Sequence, residues 1–319
     1  MSSALCLKEE EGGGDEMKRL LRVERPLDGT CVGEPTGVVY QVPGSVSIGS
    51  RDENDSGSWN EFYYIRRYEF ELGEMYINNQ MVLYSVDKKY LNLFNNAINT
   101  ITHFEYKSEK MEKEMSKYLP SFDWKYETDD RLWMTIKKTP DLLLLKDVIA
   151  YFGGKLGSRH VAWIMSTLHN LVCYLQYAKI SHNGIATSSY FISPVHHSGA
   201  LLGGWWYSVP VGERMIAVPR YTSRRCSIPP KSMAWLGSIG TDLELIRAVG
   251  RESLGPLPWP EKEIPKALGD WLTYTSPHGD AFEDYKIWDT EVLKDSFGPR
   301  RFVELSVTST DLYGKKGGE

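Results

Sequence analysis

The chain has 319 residues, 41% hydrophobic and 12% aromatic, enough to bury a substantial core, which excludes a disordered protein. A formal net charge of −5 supplies no global positive field, so neither nucleic acid nor an anionic membrane is an expected partner. The four cysteines, Cys6, Cys31, Cys173 and Cys226, form no CxxC pair and no secreted framework; there is also no leader-like stretch and no run near the ~20 apolar residues that span a bilayer, so a cytoplasmic protein is expected.

Residues 1–16 combine Glu9 to Glu11 with Gly12 to Gly14, an acidic, glycine-rich composition expected to stay disordered. Residues 17–58 read as an appended segment with one or two short strands, as in GVVYQV, followed by the linker GSRDENDSGS. From residue 59 to 141 a β-rich region is expected. Phe62 to Val86 is aromatic and β-branched and breaks at Asn78-Asn79, which predicts antiparallel strands joined by a turn. Leu91, Phe94, Ala97, Ile98 and Ile101 then recur at helical spacing, and a charged helical stretch follows up to Pro120. WKYETDDRLWMTIKKT alternates on either side of Asp129-Asp130, the pattern of a hairpin.

Beyond Pro140 the texture is helical. Val161, Ile164, Leu168, Leu171, Val172 and Leu175 line one face of a long amphipathic segment. Sheet first and helices afterwards predicts an α+β protein with segregated lobes, the helical one over residues 142–305 and a C-terminal tail over 306–319.

The run from Ser181 to Tyr207, SHNGIATSSYFISPVHHSGALLGGWWY, follows an amphipathic helix with a histidine loop and two short strands. In this layout the chain resembles the eukaryotic-type protein kinases, and most of all divergent kinase-like proteins of bacteria and their phages. The likeness extends from about Leu72 to Phe302. It implies a small antiparallel β lobe on a larger helical lobe.

The resemblance also implies that the chemistry has been lost. Active kinases carry a His-x-Asp loop with an Asn five residues after the Asp, the Asp serving the substrate hydroxyl and the Asn a magnesium ion. Here His182 is kept while Gly184 and Ser189 stand at the other two positions, and Gly203-Gly204 stand where the metal-binding Asp-Phe-Gly belongs. The lysine that anchors nucleotide falls at Tyr84 or Ser85, with Lys88 and Lys89 just beyond; its helix glutamate falls at Asn96, with Glu109, Glu112 or Glu114 as alternatives in another register. The phosphate loop LGEMYIN keeps one glycine, Gly73. A positioned base is worth roughly 10²–10⁴-fold and metal-borne charge neutralisation more, so losing both leaves almost no phosphoryl transfer.

Other positions keep a structural role under the same resemblance. Asp242 matches the buried aspartate that bonds the catalytic-loop backbone, and His182 is expected to be structural. IPPK matches the end of an activation segment with Lys231 in place of its glutamate, opposite Arg300 or Arg301.

The implied function is that of a catalytically inactive, pseudokinase-like interaction module with a protein partner, no cofactor and no metal. Trp205 and Trp206 are candidates either to fill the cleft or to anchor a partner. The alternative is a divergent ATP- and magnesium-dependent phosphotransferase using Lys88 or Lys89, a helix glutamate, and Asp87 or Asp242 in new roles. His196-His197 reads as a solvated turn, and Arg66-Arg67 and Arg224-Arg225 as solvated surface.

Overall fold

The structure, a computed structural model, describes residues 19–23, 39–42, 66–77, 80–226, 235–260, 262–274, 279–299 and 301–313. The expected acidic tail, the linker, the IPPK segment with Lys231, and Arg300 lie outside the described residues. Two strands of the appended segment, β1 (Arg19–Val23) and β2 (Val39–Val42), pair antiparallel.

The first lobe is built from β3 (Arg66–Phe70), β4 (Gly73–Ile77), β5 (Met81–Asp87), α1 (Leu91–Thr102), α2 (Glu109–Met115), β6 (Ser121–Glu127) and β7 (Arg131–Lys137). Its sheet has the order β3-β4-β5-β7-β6, antiparallel throughout. The central strand β5 is buried on both faces up to Val86, and this explains the unbroken apolar run MVLYSV. α1 turns Leu93, Phe94, Ala97 and Ile101 into the core; of the expected stripe Phe94, Ala97 and Ile101 are buried, while Leu91 is exposed and Leu93 takes its place. The charged stretch forms a separate short helix, α2, with no buried residue and with Ser108 capping its N-terminus.

The second lobe contains β8 (Leu143–Leu144), α3 (Leu145–Tyr151), α4 (Ser158–Tyr177), β9 (Ile180–Ser181), β10 (Tyr190–Ser193), β11 (Ser198–Leu201), β12 (Val209–Pro210), α5 (Arg220–Arg225), α6 (Ile239–Leu254), α7 (Lys266–Thr273), α8 (Ala281–Ile287), α9 (Lys294–Phe297) and α10 (Ser309–Tyr313). α4 packs its apolar face against α6. The segment expected as a C-terminal tail is in part structured: α10 buries Leu312 and Tyr313, and the Tyr313 hydroxyl accepts from the Leu144 N–H at 2.9 Å. The lobes share one continuous hydrophobic cluster, from Tyr68 and Tyr84 in the sheet to Leu202 and Trp206 below it and on to Trp288. That continuity decides the character of the space between them.

Candidate functional site: a packed interlobe cleft

After α4 the chain makes the short strand β9 and turns at Asn183, whose φ of 60° is left-handed. Asp242, in the first turn of α6, fixes this turn by accepting the N–H of His182 and the N–H of Asn183, each at 2.8 Å. The buried His182 ring lies 3.1 Å through Nε2 from the Gly203 carbonyl and meets Trp205 edge-on at 4.5 Å. Burial pushes its pKa down to about 3, so at neutral pH the ring is uncharged and donates to that carbonyl. Ser189 is engaged within its own loop, accepting from the Ala186 N–H at 2.9 Å and donating to the Gly184 carbonyl at 3.0 Å.

The glycines that the resemblance places at catalytic positions are closely packed. A Cβ at Gly184 would stand 2.8 Å from the Gly204 carbonyl oxygen; a Cβ at Gly204 would stand 2.6 Å from the Gly184 oxygen, and Gly204 also has a left-handed φ of 85°. A Cβ at Gly203 would stand 2.6 Å from the Tyr84 hydroxyl. The site is therefore closed at the positions where carboxylates would have to project, and has no vacancy waiting for them. Gly203→Asp is expected to cost about 1–3 kcal/mol through overpacking and to restore no phosphoryl transfer. Adding Tyr84→Phe should return part of that loss. Urea unfolding of the two single variants and the double checks this, and additive losses would disprove the proposed clash.

Aromatic rings fill the roof of the cleft. Trp206 stacks on Phe70 at 5.9 Å and on Phe94 at 6.3 Å, and meets Tyr84 edge-on at 5.1 Å. Tyr84, at the position of the nucleotide-anchoring lysine, instead donates to the Leu202 carbonyl at 3.3 Å, and burial raises its hydroxyl well above the ordinary phenol range. Asn96, at the position of the helix glutamate, donates to the carbonyls of Trp206 at 3.1 Å and Ser208 at 2.8 Å. Each of the two thus reaches the second lobe through neutral hydrogen bonds, where the resemblance would have paired them with each other inside the first lobe. At another edge Tyr68, on β3, donates to Asp147, on α3, and bridges the lobes a second time.

Several expectations from the sequence need correction. Lys88 does not face the cleft: it sits on the turn after β5 and pairs with Glu127 at 2.7 Å, while Lys89 pairs with Asp87 at 3.3 Å. Glu109, Glu112 and Glu114 belong to the separate helix α2. Gly73 is required by close approach, because a Cβ there would fall 2.1 Å from the Ser85 carbonyl oxygen. Trp205 and Trp206 are 1% and 2% exposed, so neither is offered to a partner; the aromatic surface that invited that reading is spent inside the core. His197 is not a solvated turn residue, since its ring lies between Trp163 at 4.6 Å and Phe302 at 4.1 Å. Arg225 pairs with Glu252.

Sequence reasoning missed Tyr68, Phe70, Glu71 and Asp147, because an aromatic in a strand or an acid in a turn carries no signal of a partner 79 or 136 residues away. It also missed the role of α5. Thr222 donates to the Asn183 carbonyl at 2.6 Å, and Glu71 accepts from the Arg220 N–H at 3.2 Å and the Tyr207 hydroxyl at 3.5 Å. α5 thereby spans from the histidine loop to the β3–β4 turn.

These buried groups set a pH response. Burial lowers His169 to about 4, as it lowers His182 to about 3, while both imidazoles titrate near 6.5 when unfolded; burial raises Asp242 from 3.8 to about 7, against the opposing bonds from His182 and Asn183. Between pH 6.5 and 4 the unfolded chain gains up to two imidazole protons that the folded chain refuses, and the folded chain holds one carboxyl proton that the unfolded chain has lost. His160 and His197 are also lowered by burial and add to the imidazole side. Stability should fall as pH drops through this window, by up to about 1.4 kcal/mol per pH unit for each net proton. Urea unfolding at pH 6.5, 5.5 and 4.5 reads the slope, and a flat or opposite one would contradict these environments.

No protein-family model matches the chain, and no curated protein does. Among solved structures, the crystal structure of the BubR1 kinase domain is similar, at 11% identity and a TM-score of 0.49, over 76% of this chain and 83% of that one. The chain's own topology carries the fold: a five-stranded antiparallel sheet with α1 between β5 and β6, a helical lobe, and a histidine loop tied to α6 by Asp242. The fold is two-lobed and α+β, the architecture that the resemblance read from the sequence implies.

Proposed function

We propose that this chain is a catalytically inactive kinase-like protein that acts by binding a protein partner in the cytoplasm. The observation that supports it is the packed cleft: the backbones of Gly184 and Gly204 in contact, Gly203 against the Tyr84 hydroxyl, and Phe70, Tyr84 and Trp206 together in the roof. A phosphoryl-transfer site needs room for a triphosphate and carboxylates for its metal ion. The carboxylates that do lie at its margins, Glu71 and Asp147, accept hydrogen bonds from Tyr207 and Tyr68. On this reading the function left to the fold is recognition by its surface. Its net negative charge argues against nucleic acid as the partner, and no helix among the described residues is long and apolar enough to cross a membrane.

A thermal-shift titration tests the reading. ATP, with or without magnesium, is expected to leave the melting temperature unchanged, whereas a ligand at a hundredfold its Kd would add about 2.7 kcal/mol. A magnesium-dependent rise would overturn the proposal and return the divergent phosphotransferase. Affinity capture with the full chain then identifies the partner.

A further inference from the structure

Away from the cleft, α4 builds a second concave surface. Arg159, Trp163, Thr167 and Asn170 recur at spacings of four and three, so they share one flank of that helix. Against this flank lie Phe297, at the end of α9, and the extended residues Arg301 and Phe302. Together they line an open cavity of about 450 Å³, within the range of sites that hold small organic ligands.

Its lining has two distinctive properties. The first is a flat aromatic wall: His197 lies nearly parallel to Trp163 and Phe302, at interplanar angles of 3° and 12°. His197 is held there with a left-handed φ of 45°. A non-glycine residue keeps such a backbone only where its surroundings over-determine it, and here two stacked rings do so. Phe302, the outer ring of the stack, is 66% exposed.

The second property is charge. The lining contains Arg159 and Arg301 and no carboxylate, and neither arginine has an acidic partner among the described residues. Arg159 lies over the Phe297 ring at 5.4 Å, which holds its guanidinium at the cavity. Nearby, burial holds both His160 and His197 below their ordinary values, so at neutral pH neither ring adds charge and the two arginines alone set the sign of this surface. Two unpaired guanidinium groups beside an exposed ring match a ligand with one flat apolar face and one negative group.

We propose that this cavity binds a small aromatic carboxylate, its ring against Phe302 and its carboxylate between Arg159 and Arg301. The site is separate from the packed cleft, so it is independent of whether the cleft admits nucleotide. Occupancy would fasten α4 to the segment after α9, two parts of the helical lobe that meet at this cavity.

Isothermal titration calorimetry with sodium 2-naphthoate on the full chain tests the proposal. Saturable submillimolar binding is expected, at least about tenfold weaker for neutral 2-naphthamide and for the Arg159→Gln/Arg301→Gln protein, since charged hydrogen bonds are the strong ones. Both arginines are exposed, so the double variant should keep the wild-type melting temperature, and a loss of binding is then not a loss of fold. Absence of saturable binding at millimolar naphthoate, equal affinity for the amide, or undiminished binding by the double variant would each overturn it. An acidic tetrapeptide without an aromatic ring that binds as tightly as naphthoate would also overturn it, in favour of a peptide-binding surface.

Discussion

A Trp206→Ala protein should lose about 3–5 kcal/mol of folding stability, read as a lower midpoint of urea unfolding with an unchanged slope. The ring is 2% exposed and packs at once on Phe70 from β3, Tyr84 from β5 and Phe94 from α1, so its removal leaves a hole that three separate elements border. None of the three can fill it without leaving its place in the sheet or helix. The hole would be lined mainly by apolar rings and offers no cation to a phosphate, so the variant should still fail to bind magnesium-ATP. A loss below about 1 kcal/mol would mean that the lobes are held together elsewhere.

Arg247→Ala should cost as much, about 3–5 kcal/mol, for an electrostatic reason. Arg247 is 2% exposed and engages all three guanidinium nitrogens: Nε donates to the Trp271 carbonyl at 3.1 Å, Nη1 to the Leu243 carbonyl at 3.1 Å, and Nη2 to Asp284 at 2.6 Å. It also lies 4.1 Å from the centre of the Trp271 ring. Removing it strands Asp284, 1% exposed, beside an imidazole, His169, that burial holds uncharged at neutral pH. The paired change Arg247→Met with Asp284→Leu removes both charges and should recover most of the loss. If the double variant is no better than the single one, packing rather than the stranded charge governs this site. Chemical denaturation of the three proteins at neutral pH decides between the two.

The elements themselves were legible in the sequence. Alternation on either side of Asp129-Asp130 located β6 and β7, and the spacing from Val161 to Leu175 located α4, because a period of two or 3.6 is imposed by backbone geometry and can be read without knowing any partner. Gly184, Ser189, Gly203 and Gly204 were visible as positions without catalytic groups. What those absences do to the cleft was not visible. Tyr84 is separated by 118 residues from the carbonyl it meets, and Asn96 by 110 and 112 from the two it meets, so no local pattern connects them. Lys88 and Lys89 stood as plausible anchors until Lys88 was seen to pair with Glu127 at the end of β6 and Lys89 with its near neighbour Asp87.

The sequence by itself determined composition, the order of strands and helices, and the lack of an acid, an amide or a full glycine loop where phosphate chemistry would need them, since each is a property of residue identity or short-range periodicity. Only the tertiary structure decided that the space left by those groups is filled, with glycine backbones in contact and aromatic rings closing the roof. It also decided that a turn of two histidines becomes one wall of a cationic, aromatic cavity. Both outcomes rest on packing between segments far apart in the chain, where shape and desolvation are set jointly by residues that no single stretch contains.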